Sequence, residues 1–447
     1  MKVRSAAHRM HGENVEMRIE LKRGLDITLA GAPLQRIEGT LTSSRVGVQP
    51  ADFGGLRPRL VVAVGDRVQA GDVLFRDRHD PRIACTSLVS GRVVDIRRGN
   101  KRRICEVIVA REGSQVAAFP SHSANTLTSL PLDDLRDTLL RSGMWAAMRA
   151  RPHDCIASPA IEPRALFVTA IDTRPHAPDP AVVLHDETDS FVAGIKVLSR
   201  LSNGNTYVCV APNSSIPVPE CRRIKRLEFA GPHPAGLAGT HLHSVGLPIA
   251  RDADLWHVGY QDVAAIGHLM LTGTVSARRV ISLSGPGATH PRLVHAMPGL
   301  DLQQLSNEWN GPVGITVSGS PLDGVEGARY LGRYHNQVTL LPNETVAPHR
   351  GLRALFGSAV STQASINLRT RRYGMLPLEV FERVWPYRSA PQVLLRALLA
   401  NDEETAERHG CLGLVEEDLA LCNYVCPSRN EYGDALRRTL DAIESSR

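Results

Sequence analysis

Residues 231–248, GPHPAGLAGTHLHSVGLP, hold seven glycines and prolines and three histidines in eighteen positions. Proline removes a backbone donor and fixes φ, and glycine favours turns, so the stretch is expected to be neither helix nor central strand. Regular structure is expected on both sides of it. The stretch is then either a joint placed by the units it connects or a loop that holds a ligand. A phosphate loop needs Lys and then Ser or Thr after its second glycine. Gly231 and Gly236 have that spacing, but Leu237 and Ala238 follow. His241 and His243 would supply two metal ligands, where a zinc site takes three or four. No Cys or carboxylate lies within the stretch. A joint is the favoured reading, with His233, His241 and His243 kept as candidates for contact with a ligand or partner.

The first clear pattern upstream is β. Residues 18–30 alternate apolar and polar around Lys22-Arg23-Gly24, as an edge strand with a turn would. Short β runs follow at Leu60–Val64, Val73–Phe75, Gly91–Ile96 and Ile104–Val109, separated by Gly65-Asp66, Gly71-Asp72 and Ser90-Gly91. Short, evenly spaced strands suggest a small barrel or sandwich. The block resembles the biotinyl/lipoyl carrier fold, whose pattern is V-x-x-GD-x-V-x-x-GD-x-L followed by a hairpin. A carrier needs a lysine at the hairpin tip, because its amine is acylated. Residues Arg76 to Ser87 contain none, so the block is expected to be a scaffold.

From residue 121 the pattern changes. Leu132, Leu135, Leu139 and Leu140 have helical spacing, with Asp133 and Asp134 in the first turn. A buried strand at 165–172, a helical stretch at 179–201 and strands at NTYVCVAP and 226–230 argue for a Rossmann-like α/β layer. From Trp256 the runs HVGYQDVAAIGHLMLTG, ARRVISLSG and GPVGITVSG read as mostly β, punctuated by glycine. After QVTLLP comes an irregular basic stretch, and then Pro391, Leu394, Leu395, Leu398 and Leu399 announce helices. The expected fold is an α+β multidomain chain. A flexible extension covers 1–17 and a lipoyl-like β barrel-sandwich 18–120. A Rossmann-like α/β domain follows at 121–255, a β-grasp module at 256–335 and a region ending in a C-terminal helical bundle at 336–447.

Composition narrows the function. Aromatics are 4% of 447 residues, too few for a base-stacking surface. The net charge of +6 is concentrated in runs such as Arg97, Arg98, Lys101, Arg102, Arg103 and Arg222, Arg223, Lys225, Arg226. These are solvated faces, or contacts with an anionic membrane surface or an acidic partner; nucleic acid ranks lower. Eight cysteines show no disulfide framework, and no secretion signal or apolar run of roughly 18 residues is present, so a reduced, non-spanning protein is expected. Cys422 and Cys426-Pro427, with Cys411 upstream, keep only part of an iron–sulfur pattern and read as buried thiols. No G-x-G-x-x-G follows a strand of the α/β region.

The segments GLDITLAG, TAIDTRPHAPDP, FAGPHPAGLAGTHLH, YQDVAAIGHLMLTG, YLGRYHNQ and EEDLALCNYVCP, together with the lysine-free block, resemble the NqrA family of the bacterial Na+-translocating NADH:quinone reductase. The resemblance implies a peripheral protein on the cytoplasmic face of the inner membrane. Its complex has six subunits, passes electrons from NADH to ubiquinone through flavins and iron–sulfur, and exports Na+. It implies no cofactor on this chain, and the other five subunits (above all the membrane B subunit) and ubiquinone as partners; the hinge histidines are candidates for the ubiquinone contact. The chain is also similar to the flavin- and NADH-binding subunit of respiratory NADH dehydrogenases and to the C subunit of Rnf complexes. Where those relatives have a glycine-rich flavin loop, this chain has SGMWAAMRARPH, and Met144, Trp145 and Met148 would block close backbone approach. A flavin- or NADH-binding electron-transfer subunit of an Rnf-like complex is the alternative.

Overall fold

The computed structural model describes residues 17–249, 254–342, 375 and 378–446. Nearly all of the expected N-terminal extension, and the basic stretch from 343 to 374, lie outside the described residues. The first two strands join sheets that the chain completes much later. β1 (Met17–Glu20) is an edge strand parallel to residues Ile224–Ala230, and β2 (Leu34–Thr40) lies beside Arg292–Ala296. Residues 18–40 therefore do not pair within the small β unit with which their sequence groups them. Alternation marks a strand but does not choose its partner.

The small β unit follows. Its strands are β3 (Arg45–Val48), β4 (Pro58–Leu60), β5 (Arg67–Val68), β6 (Val73–Asp77), β7 (Ala84–Thr86), β8 (Gly91–Arg98) and β9 (Ile104–Arg111). They form two sheets, β3-β9-β8-β5 and β4-β6-β7, around Val46, Leu74, Phe75, Val93 and Val107. The Gly-Asp pairs shape its turns. Gly65 and Gly71 have φ of 100° and 98°, a region that disfavours a Cβ. Asp66 and Asp72 each accept a hydrogen bond from the backbone N–H three residues earlier, at 2.8 and 2.7 Å.

A parallel sheet occupies the middle of the chain. In order come α1 (Leu132–Arg141), β10 (Arg149–Arg151), β11 (Cys155–Ile156), β12 (Ala165–Ala170), α2 (Pro180–Val183) and α3 (Thr188–Leu201). Then follow β13 (Asn205–Val210), β14 (Ile224–Ala230), α4 (Ala238–Val245), β15 (Leu255–Gly259) and α5 (Tyr260–Thr272). The strand order is β1-β14-β13-β12-β15-β10-β11, parallel through the first five. Between β12 and β15 the order reverses direction, which makes that gap the topological switch point.

Two expectations need correction. The turn-rich stretch contains a helix, α4, after all. Two of its three prolines and two of its four glycines lie within 231–237, and AGTHLHSV beyond them is helix-competent until Gly246 ends it at φ 74°. Likewise 256–273 is not mostly β: only its start is strand, and α5 takes the rest. Its glycine serves a helix crossing rather than a turn. A Cβ on Gly267 would lie 1.7 Å from the Ser190 carbonyl oxygen, and one on Gly194 would lie 2.0 Å from that of Val263. The pairing of α3 with α5 therefore depends on both glycines.

The chain then builds β16 (Arg279–Ser284), β17 (Arg292–Ala296), β18 (Ile315–Ser318), β19 (Val325–Glu326) and β20 (Gln337–Leu341). With β2 they give the order β19-β18-β20-β16-β17-β2. Helices α6 (Val380–Val384), α7 (Pro391–Ala400), α8 (Glu403–Arg408), α9 (Ala420–Val425) and α10 (Tyr432–Ser445) close the described chain. They share a core that includes Phe381, Trp385, Leu394, Leu398, Leu436 and Leu440. Gly267→Ala is expected to cost about 3 kcal/mol, because the helix backbones must separate to admit one methyl. Denaturant unfolding of the variant beside the parent measures it, and an unchanged midpoint would contradict the close crossing.

Candidate functional site

Open parallel sheets take ligands outside the carboxyl ends of their strands. In this chain that edge is filled from within. Arg174, just after β12, donates to Asp172 at 3.2 Å, to Asp323 at 2.8 Å and to Glu417 at 2.5 Å. Arg151, on β10, has no exposed side-chain surface and lies 3.4 to 3.8 Å from carboxylate oxygens of Asp154, Glu417 and Asp418. Asp418 also accepts from the Val415 N–H at 2.9 Å and the Tyr387 hydroxyl at 2.8 Å. A Cβ on Gly239 would meet Asp418 Oδ1 at 2.2 Å, so this carboxylate rests against the first turn of α4. The helix dipole favours an anion near that end.

Burial and charge compete throughout this cluster. Burial raises Asp418 to about 6, although Arg151 pulls it down. Burial would lower Arg151, but Asp154, Asp418 and Glu417 leave it above its ordinary value. Burial pushes Asp154 up, and Arg149, His257 and Arg151 overcome that and hold it well below the usual carboxylate range. His257, held down at about 4 by burial and by Arg149, is neutral and donates from Nε2 to Asp154 at 2.6 Å.

The hinge histidines feed into this edge, each with a different neighbour. The His233 N–H donates to Asp26 at 2.9 Å, and its Nδ1 lies 3.1 Å from the Thr173 hydroxyl. His241 donates from Nε2 to the Ala235 carbonyl at 3.0 Å, and its ring centre is 4.3 Å from that of Phe229. His243 tilts against Tyr387 at 4.7 Å and reaches Gly413, where a Cβ would come within 2.4 Å of its Cε1. His233 and His241 are buried and His243 is half-buried. Burial holds all three down, at about 4, 3 and 4. The chain around them is pinned too: Leu25 N–H donates to the His233 carbonyl, and Gly236 N–H to the Thr173 hydroxyl. Sequence reading named these histidines but missed Arg151, Arg174, Asp323 and Asp418. No local pattern exposes the last group, because Arg151 and Asp418 are 267 positions apart.

The stretch SGMWAAMRARPH packs inward. Gly143 has φ 77°, and Trp145 donates its indole N–H to Ala157 at 2.7 Å with its ring edge-on to Trp256. Trp145 and Met148 are buried in the core, while Met144 borders a cleft of about 50 Å³. Asp52, Cys85, Gln261, Asp262, Arg279 and Arg333 also line that cleft. Arg279 and Arg333 both donate to Asp262 Oδ1, at 2.7 and 2.8 Å. Burial raises Asp52 to about 6 despite a hydrogen bond from the Arg333 N–H. Cys422 and Cys426 are buried, and Cys426 Sγ is 3.4 Å from the Tyr432 hydroxyl. Among the described residues no three His, Cys, Asp or Glu side chains gather as metal ligands would.

Two outcomes follow from the charges. Arg151→Ala leaves the buried Asp418 carboxylate without its cation, while Asp154 keeps Arg149 and Glu417 keeps Arg174, and is expected to cost about 3–5 kcal/mol in chemical unfolding; a loss under about 1 kcal/mol would mean that Asp418 does not depend on it. Acid should also weaken the fold. His233, His241, His243, His257 and His335 sit at about 3 to 4, below the ordinary 6.5. The unfolded chain takes up protons that the folded chain refuses, so this stability is whole above 6.5 and is lost as pH falls towards 4. Asp418 and Asp52, raised to about 6, act in the opposite sense, since the folded state gains as pH falls through 6. The histidines outnumber them, so the thermal midpoint should fall between about pH 7 and pH 5; a rise would refute the neutral histidines.

Comparison with known proteins places this architecture. Residues 19–112 match the family described as the NqrA N-terminal barrel-sandwich hybrid domain, and residues 130–275 match the NqrA second alpha/beta domain. The chain is 40% identical over 445 residues to the A subunit of the Na(+)-translocating NADH-quinone reductase of Shewanella amazonensis, covering 95% of this chain and 99% of that one. The same protein of Pasteurella multocida is 39% identical over 443 residues, with the same coverage. That of Neisseria meningitidis is 38% identical over 446 residues, again covering 95% and 99%. A solved chain of an NAD+-reducing NiFe hydrogenase is similar at a TM-score of 0.40 and 12% identity, covering 74% of this chain and 66% of that one; nothing further rests on that likeness. With near-complete coverage on both sides, this chain belongs to the NqrA family of the Na(+)-translocating NADH-quinone reductase.

Proposed function

We propose that the chain is the peripheral NqrA component of a six-subunit Na+-translocating NADH:ubiquinone oxidoreductase, and that it works there as a scaffold without a cofactor of its own. It docks with the other five subunits, above all the membrane B subunit, at the cytoplasmic face of the inner membrane. The flavins, iron–sulfur and NADH of the complex belong to its partners, and the chain supports electron transfer to ubiquinone without being catalytic alone. Family membership supports the assembly. No described helix is long and apolar enough to cross a membrane, which is consistent with a peripheral position.

The observation that carries the scaffold reading is Asp418 against α4. A Rossmann-like layer would receive a nucleotide phosphate at such an edge. Here a side-chain carboxylate, bonded to Tyr387 and Val415 and facing Arg151, lies against the first turn of α4. The inward packing of Trp145 and Met148 supports the same reading for the flavin loop. On this view the lipoyl-like barrel-sandwich, the Rossmann-like layer, a β-grasp-like module within 256–335 and a C-terminal helical bundle persist as structure alone.

Ubiquinone offers a choice of place. His233, His241 and His243 remain candidate contacts, of which His243 is the most accessible. The cleft beside Met144 is a second possibility, favoured by its apolar wall and the guanidinium groups of Arg279 and Arg333. The purified chain should show no flavin absorbance, no stoichiometric iron and no NADH heat in calorimetry; any of these would overturn the scaffold reading. In the assembled complex, His243→Ala should raise the KM for ubiquinone if the hinge lies near it, whereas an unchanged KM removes the hinge and leaves the cleft.

A further inference from the structure

We propose that the tip of the β8–β9 hairpin, residues 98–103, docks on anionic phospholipid headgroups. The two cationic runs of the sequence have different fates. In the second, Arg223 donates to the Ser202 carbonyl, and Arg226 donates to Ser214 and Ile216 and faces Glu228. That run is engaged in holding loops. In the first, the carboxylates at hand, Asp95 and Glu106, both face Arg97, at 3.2 and 3.4 Å. Beyond Arg97 come Arg98, Lys101, Arg102 and Arg103, all exposed. Among the described residues no carboxylate lies within ion-pair distance of these four.

The tip has a defined shape that presents these charges. Gly99 N–H donates to the Arg103 carbonyl at 2.8 Å, Arg103 N–H to the Asn100 carbonyl at 3.2 Å, and the Arg98 guanidinium to the Arg102 carbonyl at 3.2 Å. Lys101 and Arg102 have φ of 54° and 60°, a region where glycine or asparagine is less costly. Two cations therefore occupy positions that the local backbone does not favour for them.

The chemistry selects among polyanions. Residues 91–111 contain no aromatic side chain, so the tip has nothing on which a base can stack. Residues 97–103 contain no apolar side chain, so the tip lacks the desolvated centre of a protein interface. A lipid surface requires neither, because its field attracts each nearby cation without a fixed partner geometry. The tip would thus orient the chain against the bilayer beside its membrane partners. This rests on the reading that the chain works at a membrane.

The test is co-sedimentation of the purified full chain with phosphatidylcholine vesicles, with and without phosphatidylglycerol. Vesicles hold no other subunit, so failure here leaves the assembly proposal untouched, and failure to assemble leaves this result standing. The chain should bind only the phosphatidylglycerol vesicles and should be released by salt. Arg98→Gln, Lys101→Asn, Arg102→Asn and Arg103→Gln together should weaken binding by about tenfold or more, with an unchanged thermal midpoint showing that the fold survives. Arg98→Lys, Arg102→Lys and Arg103→Lys together should bind like the parent, since a lipid surface reads charge rather than a planar fork. Arg222→Gln with Arg223→Gln should also bind like the parent. Equal binding to both vesicle types, undiminished binding by the neutralised tip, or loss in the lysine variant would overturn the proposal; the last would indicate carboxylates of a protein partner.

Discussion

The Asp418 carboxylate is the point on which the arrangement of this chain depends. It comes from the C-terminal helical part, yet its partners are Arg151 of the parallel sheet and the first turn of α4. Burial alone would make it neutral, and Arg151, Tyr387 and the Val415 N–H oppose that. Arg151 in turn would keep only Asp154 of its three carboxylate partners without Asp418 and Glu417. The C-terminal segment therefore cannot bury Asp418 alone, and Arg151 loses two of its three carboxylates without that segment. Buried ion pairs add little net stability over apolar packing, but removing one partner is costly. Their effect here is to couple segments: the sheet, the β18–β20 region through Asp323, and the C-terminal helices hold their charges only together.

The same constraint gives the hinge its form. Its prolines and glycines carry the chain from the end of β14 around the charged edge to the start of α4. Gly236 can have no side chain because a Cβ would lie 2.5 Å from the Thr173 nitrogen. Gly239 can have none because Asp418 is there. The histidines fill the remaining space as neutral rings, which avoids adding cations beside Arg151 and Arg174. Glycine, proline and neutral histidine are thus three responses to one crowded, charged junction.

This explains what could be read from the residues and what could not. The Gly-Asp turns, α1, α3, α7 and strands β6, β8 and β9 follow from short-range patterns and appear where those patterns put them, whereas the run expected at Leu60–Val64 shares only Leu60 with β4. The errors arose where glycine had a tertiary purpose. Gly267 looks like strand punctuation in sequence, but it is the contact surface for Ser190 on another helix. Gly239 adds to the apparent turn density of the hinge, but it belongs to a helix that must admit a carboxylate. The site was least legible. Its histidines stand out as a local cluster, whereas Arg174 and Glu417 are 243 positions apart and are ordinary surface residues by type. Only packing identifies them as buried partners.

A missing motif and an occupied position are arguments of different strength. The absence of a glycine-rich loop removes one known way to cradle a phosphate, and other backbone arrangements can still do so. A carboxylate lodged at the helix start is a competitor with a defined cost of removal. A phosphate approaching the first turn of α4 would meet the Asp418 carboxylate at close range, and two anions repel strongly in a buried setting. Displacing Asp418 would deprive Arg151 of one partner and leave the Tyr387 hydroxyl without its acceptor. Each of those losses costs about 1–3 kcal/mol or more in a buried setting. A ligand displacing Asp418 would have to recover that cost before any affinity appeared, because the same charges hold the segments together.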